Sequence, residues 1–432
     1  MSSDFEIDHI SIENTLIGGL YAKTDPDCGL ASVRANFIQY NTSIHDNYIS
    51  NTGNEGLYVG SSFYGGQTVK CNGENLLLLP SLLDGVKIYN NIIKFTDWDG
   101  IQVSSAYKNC QIYNNTIQYD SQAEYTNQMS GIMIGDGSKC DCYNNFISHG
   151  KGDGIECHGL GGCRIFNNII LEAGRNFTPT DLTQMKHGIF VSELTTTDDS
   201  TLIIQNNDII NPKSDGIRFS SVKSKDNQVA SNVIINPGNF DYYQNGNTSF
   251  KGIDSYIMIQ NSLSGVTLRN NYTARSASSV GFLNLTMQST NDFKLVAGSP
   301  LIDRADIDKN INFDFAGTPR PFGPKSDIGA FEFEYDPTLP TPTEPKIQEN
   351  QFKLIQNPVK EYLIFSLPKE SNNDIFLNIF DLNGKMICQF KQVEISAESQ
   401  TIQVNIAQIA PGIYIYTIRS SEFASSGKFI KR

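Results

Sequence analysis

The chain has 432 residues, 33 Lys plus Arg against 46 Asp plus Glu, and a formal net charge of −13. That length accommodates two or three domains, and the negative balance lies in residues 1–350, because 351–432 hold nine basic and seven acidic residues. So acidic a body excludes nucleic acid as the main partner, since phosphate binding needs a basic footprint, but it permits acidic polysaccharide held by a few local cations or by calcium.

Along the chain, Met1-Ser2-Ser3-Asp4-Phe5-Glu6 shows neither the basic n-region nor the apolar h-region of a signal peptide. Strand-like text opens at once, from Phe5 to Ile12, so the expectation is a start from which a signal peptide and some coils have been lost. No apolar run approaches the roughly 18–20 residues that cross a bilayer, and no transmembrane segment is expected. Eight cysteines are too sparse for a disulfide scaffold.

One phrase then recurs: Val86-Lys-Ile-Tyr-Asn-Asn91, Cys110-Gln-Ile-Tyr-Asn-Asn115, Cys140-Asp-Cys-Tyr-Asn-Asn145 and Cys163-Arg-Ile-Phe-Asn-Asn168. Looser copies end at Asn47, Asn207, Asn232 and Asn271. A second phrase lies between: Glu55-Gly-Leu-Tyr-Val59, Asp99-Gly-Ile-Gln-Val103, Ser130-Gly-Ile-Met-Ile134, Asp153-Gly-Ile-Glu-Cys157, His187-Gly-Ile-Phe-Val191 and Asp215-Gly-Ile-Arg-Phe219, ending weakly at Lys251-Gly-Ile253. Period-two alternation assigns inward columns, one through Val86, Cys110, Cys140, Cys163 and Leu202, another through Ile88, Ile112, Cys142, Ile165 and Ile204. Three short strands per coil, with like residues stacked, predict a right-handed parallel β-helix. Asparagine amides bonded to one another up the corner account for Asn there, and inward Cys110, Cys140, Cys142, Cys157 and Cys163 read as small hydrophobes. Tyr89, Tyr113, Tyr143 and Phe166 form an outward ladder that stacking explains better than sugar binding, and the glycines of 150–162 are turn residues, without the order of a phosphate loop.

The inserted stretches 118–130, 172–186 and 236–251 all precede a Gly-Ile strand, and 60–84 follows one, so together they should wall that face into a trough. Its outward row reads Tyr58, Gln102, Met133, Glu156, Phe190, Arg218 and Asp254, with His158 and Ser192 in the next row and Asp136, Asp153, Lys186 and Glu193 at the margins. At about 4.8 Å per coil, Glu156 and Arg218 would stand roughly 10 Å apart across Phe190, room for a sugar ring bearing a carboxylate. Two chemistries fit. In a lyase, His158, His187 or Lys186 removes the proton beside a uronate carboxylate that Arg218 or calcium neutralises. In a glycosidase, two of Glu156, Glu193 and Asp136 act as acid and base. The catalytic candidates are therefore Glu156, His158, His187, Glu193 and Arg218, with Tyr58, Gln102, Asp136, Phe190 and Lys186 as substrate contacts. The rival is a glycan-binding or adhesin-like solenoid without turnover, and no metal ligands are assigned.

After about Asn284 the repeat fades, and Gly298-Ser-Pro-Leu-Ile-Asp303, Gly317-Thr-Pro-Arg-Pro321 and Asp327-Ile-Gly-Ala-Phe-Glu332 resemble the closing segment of secreted β-helix proteins of Bacteroidetes-type bacteria. The expected boundaries are a β-helix over 1–296, a closing segment over 297–334 that covers the open strand edges, and a linker over 335–347 carrying Pro337, Pro340, Pro342 and Pro345. Residues 348–432 read as a small β-sandwich with turns at Asn383-Gly384 and Pro411-Gly412. Asn357-Pro-Val359, Phe380-Asp-Leu-Asn-Gly384, Ile409-Ala-Pro-Gly-Ile-Tyr414 and Lys428-Phe-Ile-Lys-Arg432 resemble the type A C-terminal sorting domain of the type IX secretion system. That resemblance implies the secretion machinery as partner of 348–432, removal of the module, and a mature protein that is secreted or held at the outer-membrane surface. A monomer is expected. The Ser-Asn-Lys-Ser and Arg-His-Gly phrases of chondroitinase-B and alginate lyases of this shape are absent, as is the paired-Asp signature of polygalacturonases, so no family's catalytic residues transfer.

Overall fold

Alternating apolar and polar residues commit each short segment to a strand with one buried face, and near-identical neighbours make stacking the way to bury it. The computed structural model describes residues 1–177, 185–198, 200–238, 255–260, 265–306, 311–334, 352–366, 375–381, 386–391, 395–396, 401–419 and 424–432. Within it the repeats form three parallel sheets of nine, nine and eight strands. The first sheet begins at Phe5–Asp8 and continues through Leu82–Tyr89, Cys110–Tyr113, Cys140–Tyr143 and Arg164–Phe166 to Val266–Arg269. The second runs from Ser11–Thr15 through Tyr48–Thr52, Ile92–Thr96, Thr116–Gln118 and Phe146–Ser148 to Tyr272–Ala274. The third carries the Gly-Ile strands, from Leu20–Ala22 through Ile101–Val103, Ser130–Ile134, Asp153–Cys157, Ile189–Val191 and Ile217–Phe219 to Ile257–Ile259. The inward columns meet in one buried core that includes Ile88, Ile112, Cys142, Ile165 and Ile204, each isoleucine worth about 1.5–3 kcal/mol when fully buried.

The Asn-Asn pair divides its labour. The first member turns the corner in the left-handed region, as at Asn90, Asn114, Asn144, Asn167 and Asn206, where asparagine is tolerated better than bulkier residues. The second is buried, and its Nδ2 donates to the Oδ1 of the next coil's asparagine at 2.9–3.0 Å, in an unbroken run Asn47, Asn91, Asn115, Asn145, Asn168, Asn207, Asn232, Asn271. Beside it the rings of Tyr89, Tyr113, Tyr143 and Phe166 stack with centroids 4.9–5.0 Å apart. In the Gly-Ile phrase, a Cβ on Gly100 would lie 2.5 Å from Ile117 Cγ2 and 2.6 Å from Gly131 O. Close approach of successive coils, with no turn conformation involved, is what requires glycine there.

Two expectations are corrected. Cys110 and Cys140 are not merely apolar fillers: they face each other across adjacent coils, with Cα atoms 4.5 Å apart, and form a disulfide, as parallel neighbours with inward Cβ atoms can. A second disulfide, Cys28–Cys71, ties the loop after the first coil to the hairpin Gln67–Cys71/Glu74–Leu78, while Cys142, Cys157 and Cys163 are free and buried. In the last coil, Ile257–Ile259 pairs with Ile217–Phe219 and sets Met258 beside Arg218. The place expected for Asp254 is thus taken by Met258, and Asp254 itself lies outside the described residues.

Beyond Tyr272–Ala274 the chain turns back along the outer face of the second sheet. Val280, Phe282, Phe293, Leu301, Ala330 and Phe331 pack on Phe146, Ile169, Leu171, Ile210, Val233 and Ile235. Arg320 pairs with buried Glu332 at 2.5 Å, and Ala330 N donates to Asp208 Oδ1 at 3.1 Å. The segment thus lies along the solenoid's flank, and among the described residues no strand pairs with the far edges of the last coil, where Leu268 is exposed.

The chain divides into two compact units, residues 1–335 and 336–432. In the second, two four-stranded antiparallel sheets enclose Leu363, Phe365, Leu377, Ile379, Tyr416 and Ile418 as a separate core. Of the turns expected there, Asn383-Gly384 lies outside the described residues and Gly412 opens the strand Gly412–Arg419. The proline stretch 335–347 is also outside the description.

Candidate acid–base site on the third sheet

Two residues apart on one strand point the same way, so Asp153–Cys157 and the residue after it present Glu156 and His158 together. His158 Nε2 is hydrogen-bonded to Glu156 Oε1, and Ser130 Oγ, from the preceding coil, donates to Glu156 Oε2 at 2.9 Å. Lys186 Nζ lies 3.1 Å from Asp153 Oδ2, close enough to Glu156 and Asp99 for their charges to act on it. The side chains of Glu156, His158 and Lys186 are 12%, 18% and 13% exposed, so all three are mostly covered yet retain contact with solvent.

Electrostatics sets the protonation. Burial alone would raise the Glu156 carboxyl, but His158 and Lys186 reverse it and hold it below its ordinary value. Burial likewise works against the His158 imidazolium, yet Glu156, then Asp136 and Asp153, bring the ring above its ordinary value. Lys186 is held above its usual value by Asp153 and Glu156 against burial. Burial raises Asp136, which His158 partly offsets. Glu156 and His158 thus favour each other's charged forms, beside the Lys186 ammonium.

A buried column lies under this cluster. Asp153 Oδ1 accepts from His187 N at 2.5 Å, His187 Nδ1 accepts from Asp215 N at 3.2 Å, and Asp215 Oδ1 accepts from Ser255 N at 2.8 Å. At these three positions the residue before the phrase glycine thus satisfies a main-chain donor of the next coil. His187 belongs to this column: it is buried, and its Nδ1 is occupied. Arg218, on the open face, is held by Asp215 Oδ2 at 3.1 Å. Phe190 lies between, its ring 5.5 Å from that of His187. Asp99, higher in the column, is fully buried with both carboxylate oxygens unpartnered among the described residues, and burial, then Glu156 and Glu55, push its pKa well up.

The remaining expected residues lie elsewhere. Tyr58 is covered, with Lys23 Nζ 4.2 Å above its ring and its hydroxyl donating to Ser62 Oγ; Gln102 and Met133 are buried as well. The trough floor is therefore closed over its first coils; Glu156 is still largely covered, and His158, Phe190 and Arg218 are half-buried. Glu193 Oε2 accepts from Val222 N at 2.8 Å, serving the turn of the following coil. The walls are partly described: the hairpin Gln67–Cys71/Glu74–Leu78 stands on one side, while residues 178–184 and 239–254 lie outside the described set. Sequence reasoning missed Ser130, Asp99 and Asp215 as members of the site. Their signal was their fixed place before the phrase glycine.

Glu156, Asp153, Asp215 and Glu193 are each engaged by protein donors. A group able to offer three ligand atoms to a metal, Glu6, Asp8 and His45, lies instead on the first coils, where His45 already bonds Asp46 at 2.7 Å and Glu6 at 2.5 Å. A cavity of about 850 Å³ lies against the first sheet, but it contains no histidine, and its Asp84 and Asp141 pair with Lys108 and Arg164.

Residues 82–294 match the right-handed β-helix region family, and residues 356–432 match the secretion system C-terminal sorting domain family. The chain is a right-handed parallel β-helix protein with a C-terminal sorting domain. The sorting domain of this β-helix protein marks it as secreted or displayed at the cell surface, and among the described residues no helix is long and apolar enough to cross a membrane. No curated protein matches it. Among solved structures, it is similar to the enzymatically active domain of tailspike protein 2 of bacteriophage CBA120, at a TM-score of 0.33 and 11% identity, over 92% of this chain. The β-helix protein spans 60% of the length of that tailspike chain.

Proposed function

We propose that the protein engages polysaccharide on the open half of the third sheet and cleaves a uronate-containing glycan there by β-elimination. The observation that carries this reading is the convergence of Glu156, His158 and Lys186 on one partly open face, with Phe190 and Arg218 on the next two coils. Glu156 holds Nε2 of His158, which leaves Nδ1 to take the proton beside the uronate carboxylate. Arg218 and Lys186 neutralise that carboxylate as the carbanion develops. The glycosidic C–O bond then breaks, its oxygen leaves with the proton handed on by His158, and an unsaturated sugar end remains. Phe190 offers an apolar face to the ring. The tail over 348–432 is assigned to the type IX secretion machinery, with 335–347 as linker and the solenoid acting as a monomer at the outer-membrane surface or after release.

A second reading has its own support. Lys186 is paired with Asp153 and Arg218 with Asp215, an arrangement that also suits a glycan-binding surface without turnover. Ultraviolet absorbance of unsaturated sugar ends separates the two, measured on the full chain with a panel of uronate polysaccharides, with and without calcium. Rising absorbance on one substrate, lost in Arg218→Ala, is the expected result. Binding with a flat trace on every substrate would establish the second reading, and neither binding nor turnover would remove both.

A further inference from the structure

A second aromatic ladder stands where the second sheet turns toward the third. Phe95 and Tyr119 stack with centroids 4.8 Å apart and planes 3° from parallel, and His149 continues the stack at 5.3 Å. All three occupy the left-handed region, at φ 53°, 59° and 63°, a conformation rare for bulky side chains. Phe95 remains 45% exposed despite its stacked neighbour.

The ladder stops at Phe95 because the preceding coil places Asn51 at the equivalent position, also at positive φ. One rung is vacant. One coil further the column holds Asn14; two residues on, Leu16 projects almost fully into solvent opposite Gly53, where a Cβ would lie 2.4 Å from Leu16 O. Leu16 and Phe95 border a gap over Asn51, a cavity of about 490 Å³ lined also by Asp97 and Gln122. That volume falls within the range of small-molecule sites, about 300–1,000 Å³.

We propose that this gap binds one neutral pyranose ring, stacked on the open face of Phe95 as the missing rung. A pyranose has an apolar ring face for Phe95 and Leu16, and a rim of hydroxyls for the Asp97 carboxylate and the Asn51 and Gln122 amides. Asp97 and the acidic body disfavour an anionic sugar, so the ligand class differs from the uronate assigned to the third sheet, and the proposal stands independently of that reading. Trp98, the single tryptophan of the chain, stacks on Tyr125 beside the gap at 4.6 Å and serves as a built-in reporter.

The test is saturation-transfer NMR and Trp98 fluorescence on the full chain, with methyl β-D-glucopyranoside, methyl β-D-galactopyranoside and N-acetylglucosamine as probes. The wild type should bind at least one of them with Kd on the order of 1–10 mM. Phe95→Ala should weaken it about tenfold. Asn51→Tyr fills the vacant rung with a ring that the adjoining coils show the column accepts, and should abolish binding while circular dichroism stays unchanged. No saturation transfer to any probe at about 50 mM, or binding unaltered in folded Asn51→Tyr, would overturn the proposal.

Discussion

The Glu156–His158 pair ties stability to pH in a way its surroundings dictate. Glu156 is depressed in the fold, so its contribution is present above its unfolded value of about 4.3 and lost as pH falls through the folded one. His158 is raised, so its contribution is complete below about pH 6.5 and lost as pH rises through its folded value. The pair should therefore stabilise most between about pH 4.5 and 6.5. Thermal melts of His158→Gln against wild type should differ most in that window and converge above it; a difference that grows toward pH 9 would show that the ion pair is not the cause. At this scale the sequence was only partly legible. Glu156 and His158 could be placed on one face because alternation is geometric. The burial of His187 and the anchoring of Arg218 by Asp215 could not, since both depend on which main-chain donors the next coil leaves open.

The coil is the unit that the sequence displays most openly. Repetition at the Asn corner and in the inward columns makes strands, faces and stacking readable together, because an error of one residue would turn every apolar side chain outward. Asn145 shows what the corner contributes: its amide donates to Asn168 Oδ1 and Ile112 O, and its oxygen accepts from Asn115 N and Nδ2. Asn145→Leu should cost at least about 3 kcal/mol, because it leaves several buried polar groups unsatisfied. Asn271→Leu, on the last rung, should cost less than half of that. Denaturant titrations that found the two equal would contradict the ladder as a source of stability. Legibility failed where insertions intervene. The Gly-Ile text at 251–253 mimics the phrase, while the pairing register falls at Ile257–Ile259. The 30-residue spacing of Cys110 and Cys140 gave no sign that their sulfurs meet.

At the scale of the molecule, a solenoid and a tail module with separate cores follow from two unrelated textures of sequence, one repetitive and one built of hairpins. The closing segment was legible as a change of texture, but its course was not. Nothing in residues 297–334 announces that Phe331 and Ala330 lie along the second sheet, because that docking depends on apolar side chains such as Ile169 and Ile210 facing outward there. The central claim concerns the face left open, and one measurement tests it most directly: the initial rate of unsaturated-end formation from a uronate polysaccharide by wild type and His158→Ala across pH 5–9. The rate of the wild type should climb as pH rises through the raised value of His158, and that of His158→Ala should fall at least about 100-fold, the usual contribution of a positioned base. Equal rates for the two proteins, or a profile that declines over the same range, would contradict the assignment of His158 as the base.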